Sequence, residues 1–309
     1  MAFRSFDGAA VTAATPWPQL LQAIETAFAS VHVAPDRHIH GITVPGGEDA
    51  TALLMPAWIE GAVYGVKLAN IFPSNGALGL PAVSAAYVLF DAKTGQFLAM
   101  IDGAVLTARR TAATSALASR MLSRPHSSTL LMLGAGRMAR LLIEAHRTVR
   151  PIARVLVWAR RPEQARALAE STGGEPIASI DDGIAVADII SAATLSKVPL
   201  VHGARLRPGT HLDLMGAFTP QMREVDGEAV ERATVFIDTL GGAKAEAGDL
   251  IQAQAEGRFD WTDVAADLAA LVTGSHRGRT SNSEITLFKS VGAAIEDLAA
   301  AQLVVASGT

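Results

Sequence analysis

The most constraining feature of the sequence is a glycine-rich turn that follows an apolar segment. Residues 129–133 read TLLML and lead into Gly134-x-Gly136-x-x-Ala139 at the start of a helical stretch. Gly134 permits a tight turn, Gly136 lets a pyrophosphate approach the backbone, and Ala139 keeps the helix close to the strand. Amides at the start of such a helix favour phosphate oxygens. We therefore predict a dinucleotide-binding βαβ unit; the alternative is a strand–helix turn that uses small residues only for packing.

Short apolar strands alternate with helical stretches from about residue 120 to about residue 285. This alternation is typical of a parallel sheet with helices on both faces. The earlier part of the chain mixes strands, turns and helices. The elements predicted there are a helix at 18–31, strands at 51–57 and 62–70, a hairpin of 81–91 with 96–101, and a helix at 103–122. Residues 283–304 are predicted to form an apolar-faced helix that returns to pack on this first part.

Length and composition limit the classes of protein that fit. At 309 residues the chain is long enough for two domains, with 119–285 as the dinucleotide-binding domain and 1–118 with 286–309 as the other. The 26 basic and 30 acidic residues give a net charge of −4, which leaves no basic footprint for nucleic acid. Half of the residues are hydrophobic, which excludes a largely disordered chain. No apolar run reaches the roughly 18 residues needed to span a membrane.

Side chains that bind metals or act as nucleophiles are sparse. The absence of cysteine removes disulfides, thiolate metal sites and cysteine nucleophiles, and it favours a cytoplasmic location. His38 and His40 share a strand face but lack a third ligand, so we predict no metal site. Two acidic pairs are interpreted as helix-start or surface charges. They are Asp181 with Asp182, and Glu224 with Asp226.

The end of the second strand of the βαβ unit indicates which dinucleotide binds. An NAD site usually places Asp or Glu there, whereas an NADP site prefers Arg near the 2′-phosphate. Here Arg160 and Arg161 follow Ala159, and the first carboxylate is Glu163. Guanidinium groups bind phosphate bidentately, so we predict NADPH as the cofactor, with NADH as the alternative. A solvated arginine pair that opens a helix is the other interpretation, and Arg137 is a second candidate for the phosphates.

Six segments together give a resemblance that extends over most of the chain. They are LLMPAW at 53–58, GVKLAN at 65–70, DGAVLTARRTAATSA at 102–116, LGAGRMA at 133–139, MGAFTPQMREVD at 215–226 and TLFKSVGAAIEDLA at 286–299. In this order the segments resemble the ornithine cyclodeaminase/μ-crystallin family. The resemblance implies an α/β fold in which a Rossmann-type NAD(P)-binding domain is inserted into a discontinuous α+β domain. That second domain is expected to bind substrate and to form a homodimer.

The resemblance also narrows the expected reaction. The family includes ornithine cyclodeaminases, cyclic ketimine reductases and some amino-acid dehydrogenases. Cyclodeaminases carry an acid shortly before the proline of GAFTPQMRE, where this sequence has Phe218 and Thr219, so cyclodeamination is disfavoured. The resemblance to bacterial Δ1-pyrroline-2-carboxylate/Δ1-piperideine-2-carboxylate reductases implies NADPH-dependent reduction of these small cyclic imino acids to proline and pipecolate. The alternatives are an NAD(P)-dependent dehydrogenase of alanine or N-alkyl amino acids, and a protein that binds NADPH and a small ligand without turnover.

Three basic residues match the substrate-site positions of the family, and cations suit a carboxylate substrate. They are Arg37, Lys67 and Arg110. Lys67 lies in an apolar strand, where an unpaired ammonium is costly, so a functional role is favoured over a charge at a strand edge. The alternative for Arg37 is a surface charge, and we expect one of Arg109 and Arg110 to be solvated. Ser84 matches a Thr or Ser position; we hypothesise that it orients a water or contacts the imine nitrogen, as a catalytic partner of Lys67.

A larger set of positions, some from the glycine-rich turn and its nearby charges and others from the resemblance, is expected to contact the dinucleotide. They are Gly134, Gly136, Arg137, Met138, Ala139, Arg160, Arg161, Thr194, Met215, Gly216, Lys289, Ser290 and Gly292. The segment that contains the last three matches the one that closes over the nicotinamide in the family. Their alternative interpretation is a plain helix start with packing contacts. Phe218 is expected to form a wall of the site where cyclodeaminases keep an acid.

Overall fold

The computed structural model describes residues 3–307 and divides into two compact units. The first unit extends to Thr111 and resumes at Ala293, and the second unit is Ala112–Gly292. The α/β class predicted from the sequence is confirmed. Within the described residues, no helix is both long enough and apolar enough to cross a membrane.

The chain returns to the first unit later than the sequence predicted. Thr286–Lys289 was expected to lie in the returning helix, but it is a fully buried strand of the parallel sheet. The last helix begins only at Ala294. A short apolar run has the same hydrophobic pattern in a buried strand and in a buried helix, so periodicity does not separate the two. The predicted boundaries at 118/119 and 285/286 therefore differ from 111/112 and 292/293 in the structure.

The first unit is built on a six-stranded sheet with the order β1-β6-β5-β4-β3-β2. Its elements are β1 Arg4–Phe6, α1 Gly8–Ala14, α2 Trp17–Ala29, β2 His38–Ile42, β3 Ala50–Ile59, β4 Val63–Ile71, β5 Val83–Asp91, β6 Phe97–Asp102, the start of α3 Gly103–Leu122, and α11 Ala294–Ser307. All neighbours are antiparallel except β1 and β6. The helices α2 and α3 and the β5–β6 hairpin confirm the sequence predictions.

The two faces of this sheet differ in what covers them. Side chains alternate between the faces along each strand, and residues opposite each other on paired strands share a face. On β4 and β5, Lys67, Tyr87 and Leu89 are buried on the face over which α11 packs. The opposite face carries exposed apolar side chains, among them Leu68 and Met100. One face is therefore part of the core, and the other is an exposed apolar surface.

The second unit is built on an eight-stranded parallel sheet with the order β13-β12-β14-β11-β10-β7-β8-β9. Its strands are β7 Thr129–Leu133, β8 Arg154–Trp158, β9 Glu175–Pro176, β10 Ile189–Ala192, β11 His211–Leu214, β12 Thr234–Ile237, β13 Val264–Asp267 and β14 Thr286–Lys289. Its helices, besides the rest of α3, are α4 Arg137–Val149, α5 Pro162–Thr172, α6 Ile180–Ile184, α7 Gly227–Arg232, α8 Leu240–Glu246, α9 Gly248–Ala255 and α10 Leu268–Val272.

The order of the strands locates the place where a ligand fits this sheet. The chain proceeds outward from β7 through β8 to β9, and then returns to the other side of β7 for β10 and β11. In open parallel sheets, ligands bind beyond the carboxyl ends of the strands at such a reversal. The loops that follow β7, β10 and β11 are therefore the ones expected to contact a dinucleotide.

Candidate active site

The glycine-rich turn has the geometry that the sequence predicted. Gly134 has a φ of +109° and donates its N–H to the Trp158 carbonyl at 2.8 Å. A Cβ on Gly134 would lie 2.7 Å from the Ala193 carbonyl oxygen, which leaves no room for a side chain. Gly136 caps α4 without a side-chain hydrogen bond, and open space lies in front of its Cα. Ala139 is fully buried. The turn thus presents uncapped amides at the start of α4, as a phosphate-binding turn requires.

The arginines predicted to bind the 2′-phosphate follow the neighbouring strand β8. Arg160 and Arg161 are both exposed, and Arg161 is the residue that precedes the first turn of α5. Arg137 is exposed at the start of α4, and Met138 beside it is half-buried. The structure therefore brings these four side chains to the same edge of the sheet as the glycine-rich turn.

The loops after β10 and β11 are held by a buried carboxylate. The N–H and Oγ of Thr194 donate to Glu224 Oε1 at 2.6 and 2.8 Å. The N–H groups of Met215 and Gly216 donate to the carbonyl of Ala192, at the end of β10. A Cβ on Gly216 would overlap both Glu224 Oε1 and the Thr194 carbonyl. Thr194, Met215 and Gly216 thus lie on loops at the carboxyl edge of the sheet, and their contact with a dinucleotide stays a prediction. Glu224 was expected at the surface and is fully buried.

The segment after β14 is also tied to acids. Lys289 Nζ lies 2.9 Å from Asp249 Oδ2 and donates to the Gly216 carbonyl. Ser290 Oγ and the Gly292 N–H donate to Asp238 Oδ2 at 2.8 and 2.7 Å. All three predicted cofactor contacts are therefore engaged inside the protein. Their side chains or amides hold the loops in place, which is closer to the packing alternative than to direct contact with a ligand.

A second charge cluster lies in the first unit, around Lys67. Lys67 Nζ is 2.6 Å from Asp297 Oδ2, and the guanidinium of Arg110 binds Asp297 Oδ1 at 2.8 Å and Glu296 Oε2 at 2.6 Å. All four side chains are buried. The expectation that one of Arg109 and Arg110 is solvated is wrong. Arg109 is buried too, because the end of α1 and the start of α2 supply partners for it. Its Nε donates to the hydroxyl of Thr15, which directly follows α1, and its guanidinium lies over the Trp17 ring.

The charge state of Lys67 depends on its neighbours. Burial lowers the pKa of Lys67 to about 8, Asp297 opposes this, and the positive charges of Arg110 and Arg37 add to the lowering. Burial favours the neutral form of Asp297, but Arg110 and Lys67 outweigh it and hold the pKa of this carboxyl below its usual value. Lys67 is therefore a buried cation at neutral pH, and half-buried Arg37 is close enough to influence it.

Two expectations concern residues outside this cluster. Ser84 pairs with Asn70, whereas Lys67 pairs with Tyr87, so Ser84 lies on the opposite, exposed face of the sheet. Its catalytic role stays a prediction that this geometry does not support.

The rings of His38 and His40 lie 6.5 Å apart. Among residues 3–307, no group of His, Asp or Glu side chains is arranged to hold a metal ion.

Sequence reasoning missed the acidic partners of the buried cations. They are Glu296 and Asp297 around Lys67, and Glu224 and Asp249 around Lys289. A signal for the first pair existed, because both acids stand in the apolar helical segment AIEDLAAA. A carboxylate buried in such a helix needs a cation or several hydrogen-bond donors. The signal for Glu224 is weaker, since its neighbours in sequence are charged.

This chain is similar in sequence and in fold to several known proteins. The model of the ornithine cyclodeaminase/mu-crystallin family matches residues 8–307. A Δ1-pyrroline-2-carboxylate reductase of Paracoccus denitrificans is 40% identical over 273 residues, which cover 86% of this chain and 86% of that protein. The Δ1-pyrroline-2-carboxylate reductase of Thermococcus litoralis, solved in complex with NADH and L-proline, superposes with a TM-score of 0.92 at 32% identity, over 99% of this chain and 97% of that one.

A third similar structure is an archaeal alanine dehydrogenase dimer with bound NAD. It superposes with a TM-score of 0.91 at 29% identity, over 100% of this chain and 96% of that one. The family match covers nearly the whole chain, and the glycine-rich turn, the parallel sheet and the six sequence segments agree with it. This chain belongs to the ornithine cyclodeaminase/mu-crystallin family.

Proposed function

We propose that this protein reduces the C=N bond of cyclic ketimine carboxylates with a nicotinamide dinucleotide as hydride donor. The proposed substrates are Δ1-pyrroline-2-carboxylate and Δ1-piperideine-2-carboxylate, and the products are proline and pipecolate. The observation that carries the proposal is the buried Lys67 ammonium, held by Asp297 within an apolar strand. The Paracoccus relative is named for the pyrroline substrate, and the Thermococcus enzyme was solved with L-proline, which supports the same reaction class.

The two units have separate tasks in this proposal. The first unit binds the substrate carboxylate through Arg37, Lys67 and Arg110, while Asp297 keeps Lys67 charged and oriented. Exposed Phe218 stands where cyclodeaminases keep an acid, so no carboxylate is available there for amine chemistry. The second unit binds the dinucleotide at the carboxyl edge of its sheet, with the pyrophosphate at the start of α4. When bound, the reduced dinucleotide supplies the hydride for the imine carbon.

The cytoplasmic location that the lack of cysteine favours stays a prediction.

The assay that tests this function compares four substrates with the purified protein. Oxidation of NADPH and NADH is followed with each of the two cyclic imines and with pyruvate plus ammonia. Ornithine plus NAD⁺ is assayed by release of ammonia, because cyclodeamination regenerates its NAD⁺ and leaves no net change in nicotinamide absorbance. We expect turnover with the cyclic imines. Turnover confined to pyruvate plus ammonia would replace the proposal with alanine dehydrogenation, which the similar archaeal structure favours as second candidate. Binding of NADPH without any turnover would replace it with a binding protein.

The charge of Lys67 predicts how carboxylate binding depends on pH. An ammonium with a pKa of about 8 is charged below that pH and neutral above it, so its attraction for a carboxylate is lost as the pH rises. We expect the inhibition constant of pyrrole-2-carboxylate, a planar ring acid without a basic nitrogen, to rise about tenfold by pH 9. Lys67→Met should give weak inhibition at every pH. Lys93→Met, in the exposed β5–β6 turn, is the control that should keep the wild-type profile.

Arg160 provides the test of cofactor preference. We propose NADPH as the preferred cofactor because two exposed arginines follow β8. No carboxylate lies between the end of β8 and Glu163. Arg160→Ala should raise the dissociation constant of NADPH about 10- to 100-fold, since a charge-assisted hydrogen bond to phosphate is lost. The value for NADH should change little. Arg166→Ala, an exposed arginine on α5, is the matched control, and an equal loss for both cofactors would refute the assignment.

The exposed face of the six-stranded sheet supports a homodimer. This face carries apolar side chains in the protomer, and the archaeal alanine dehydrogenase was solved as a dimer. In a two-fold symmetric interface each substitution acts twice, so Leu68→Lys should raise the dimer dissociation constant by at least about 100-fold. Light scattering on a sizing column would then report a folded monomer. Gln22→Lys, on the exposed surface of α2, should leave the dimer intact; a dimer that survives Leu68→Lys places the interface elsewhere.

A further inference from the structure

Glu224 joins several elements that meet at the carboxyl edge of the parallel sheet. Its Oε1 accepts both donors of Thr194, after β10, and packs directly against Gly216, after β11. Its own N–H donates to Asp249 Oδ1 of α9 at 2.6 Å. Asp249 in turn binds Lys289, at the end of β14, and Lys289 donates to the Gly216 carbonyl. One buried carboxylate therefore fixes the positions of two loops, and a buried ion pair supports it.

The loop after β11 needs such support because of its backbone. Ala217 has a φ of +52°, which is uncommon for a residue with a side chain. Its carbonyl accepts the N–H of Gly248, the first residue of α9, at 3.1 Å. Conformations of this kind persist where the surroundings hold them, and they cluster at ligand sites. The conformation of residues 215–218 thus depends on the contacts of Glu224, Lys289 and α9.

Only one of the two carboxylate oxygens of Glu224 accepts hydrogen bonds within the described residues. This residue is fully buried, and its Oε2 accepts no hydrogen bond from any residue in the described range 3–307. The charged side chains that face it are Asp249 from α9 and Lys289 from β14. Burial raises the pKa of Glu224 to about 7, with Asp249 adding to the rise and Lys289 opposing it. Near neutral pH the carboxyl is therefore divided between its charged and neutral forms.

We propose that Glu224 is a positioning residue for the dinucleotide: its ionised carboxylate holds the Thr194 and Gly216 loops in the conformation that accepts the nicotinamide half. The proposal rests on dinucleotide binding as set out under the proposed function, but not on the identity of the imine substrate. Hydrogen bonds from Thr194 to a carboxylate are charge-assisted and lose strength when the acceptor is neutral. Protonation of Glu224 should therefore loosen both loops, and dinucleotide affinity should fall as the pH decreases through 7.

The test measures the dissociation constant of NADH, which has no titrating 2′-phosphate, by titration calorimetry between pH 5.5 and pH 8.5. We expect the wild-type constant to rise about tenfold toward low pH, the difference between a charge-assisted and a neutral hydrogen bond. Glu224→Gln should show the weak, low-pH value at every pH. Glu175→Gln, at an exposed ion pair with Arg154, is the matched control and should keep the wild-type profile. A pH-independent wild-type constant, or a Glu224→Gln profile like that of the wild type, overturns the proposal.

A second measurement needs no cofactor and uses the dinucleotide-free protein. Hydrogen exchange of peptides that contain residues 194–196 and 215–218, corrected for intrinsic rates, should show lower protection at pH 6 than at pH 8. Thr194→Val should show low protection at both pH values, and Thr194→Ser, which keeps the hydroxyl, should restore the difference. Equal protection in all cases refutes the positioning role. Failure of the wild type to bind NADH or NADPH would instead refute the proposed function, while the exchange data still decide about Glu224.

Discussion

Charge that is buried in this protein has to be paired, and the candidate sites in both units depend on this requirement. Lys67 lies in a sheet strand and Lys289 at the end of another, and each ammonium contacts an aspartate at less than 3 Å. Removing one member of such a pair leaves an unpaired charge, which costs several kcal/mol, about 3–5 in measured cases. The cations and their acids therefore have to be considered as units. A basic residue proposed to bind substrate is positioned by an acid from a distant part of the chain.

Acids at the carboxyl edge of the parallel sheet have a related task. Asp238 accepts hydrogen bonds from the segment after β14, and Glu224 accepts them from the loop after β10. Neither acid needs to touch a ligand to be important for binding. Loops have few hydrogen bonds of their own, and a buried carboxylate with several donors gives them one conformation. The parallel sheet supplies the edge, and these acids determine the shape of the loops along it.

Local features of the chain were predicted correctly from sequence. The glycine-rich turn, α3 and the β5–β6 hairpin depend on residue types and spacing within a short segment, and the structure confirms them. The predictions that failed concern burial. Thr286–Lys289 was assigned to a helix, Glu224 to the surface, and one of Arg109 and Arg110 to solvent. In each case the deciding factor is a neighbouring strand or a side-chain partner that the local sequence does not show.

The sequence by itself determined the family and the class of fold, because six segments in order resemble the family. It also located the dinucleotide turn, because Gly134, Gly136 and Ala139 have roles that follow from their size. Only the tertiary structure decided which charges are paired and which face of a sheet each residue occupies. Ser84 and Lys67 illustrate this: they were predicted to be catalytic partners, but the register of β4 and β5 puts them on opposite faces. The physical reason is that the environment of a polar group is set by residues far away in the chain, and packing alone brings them together.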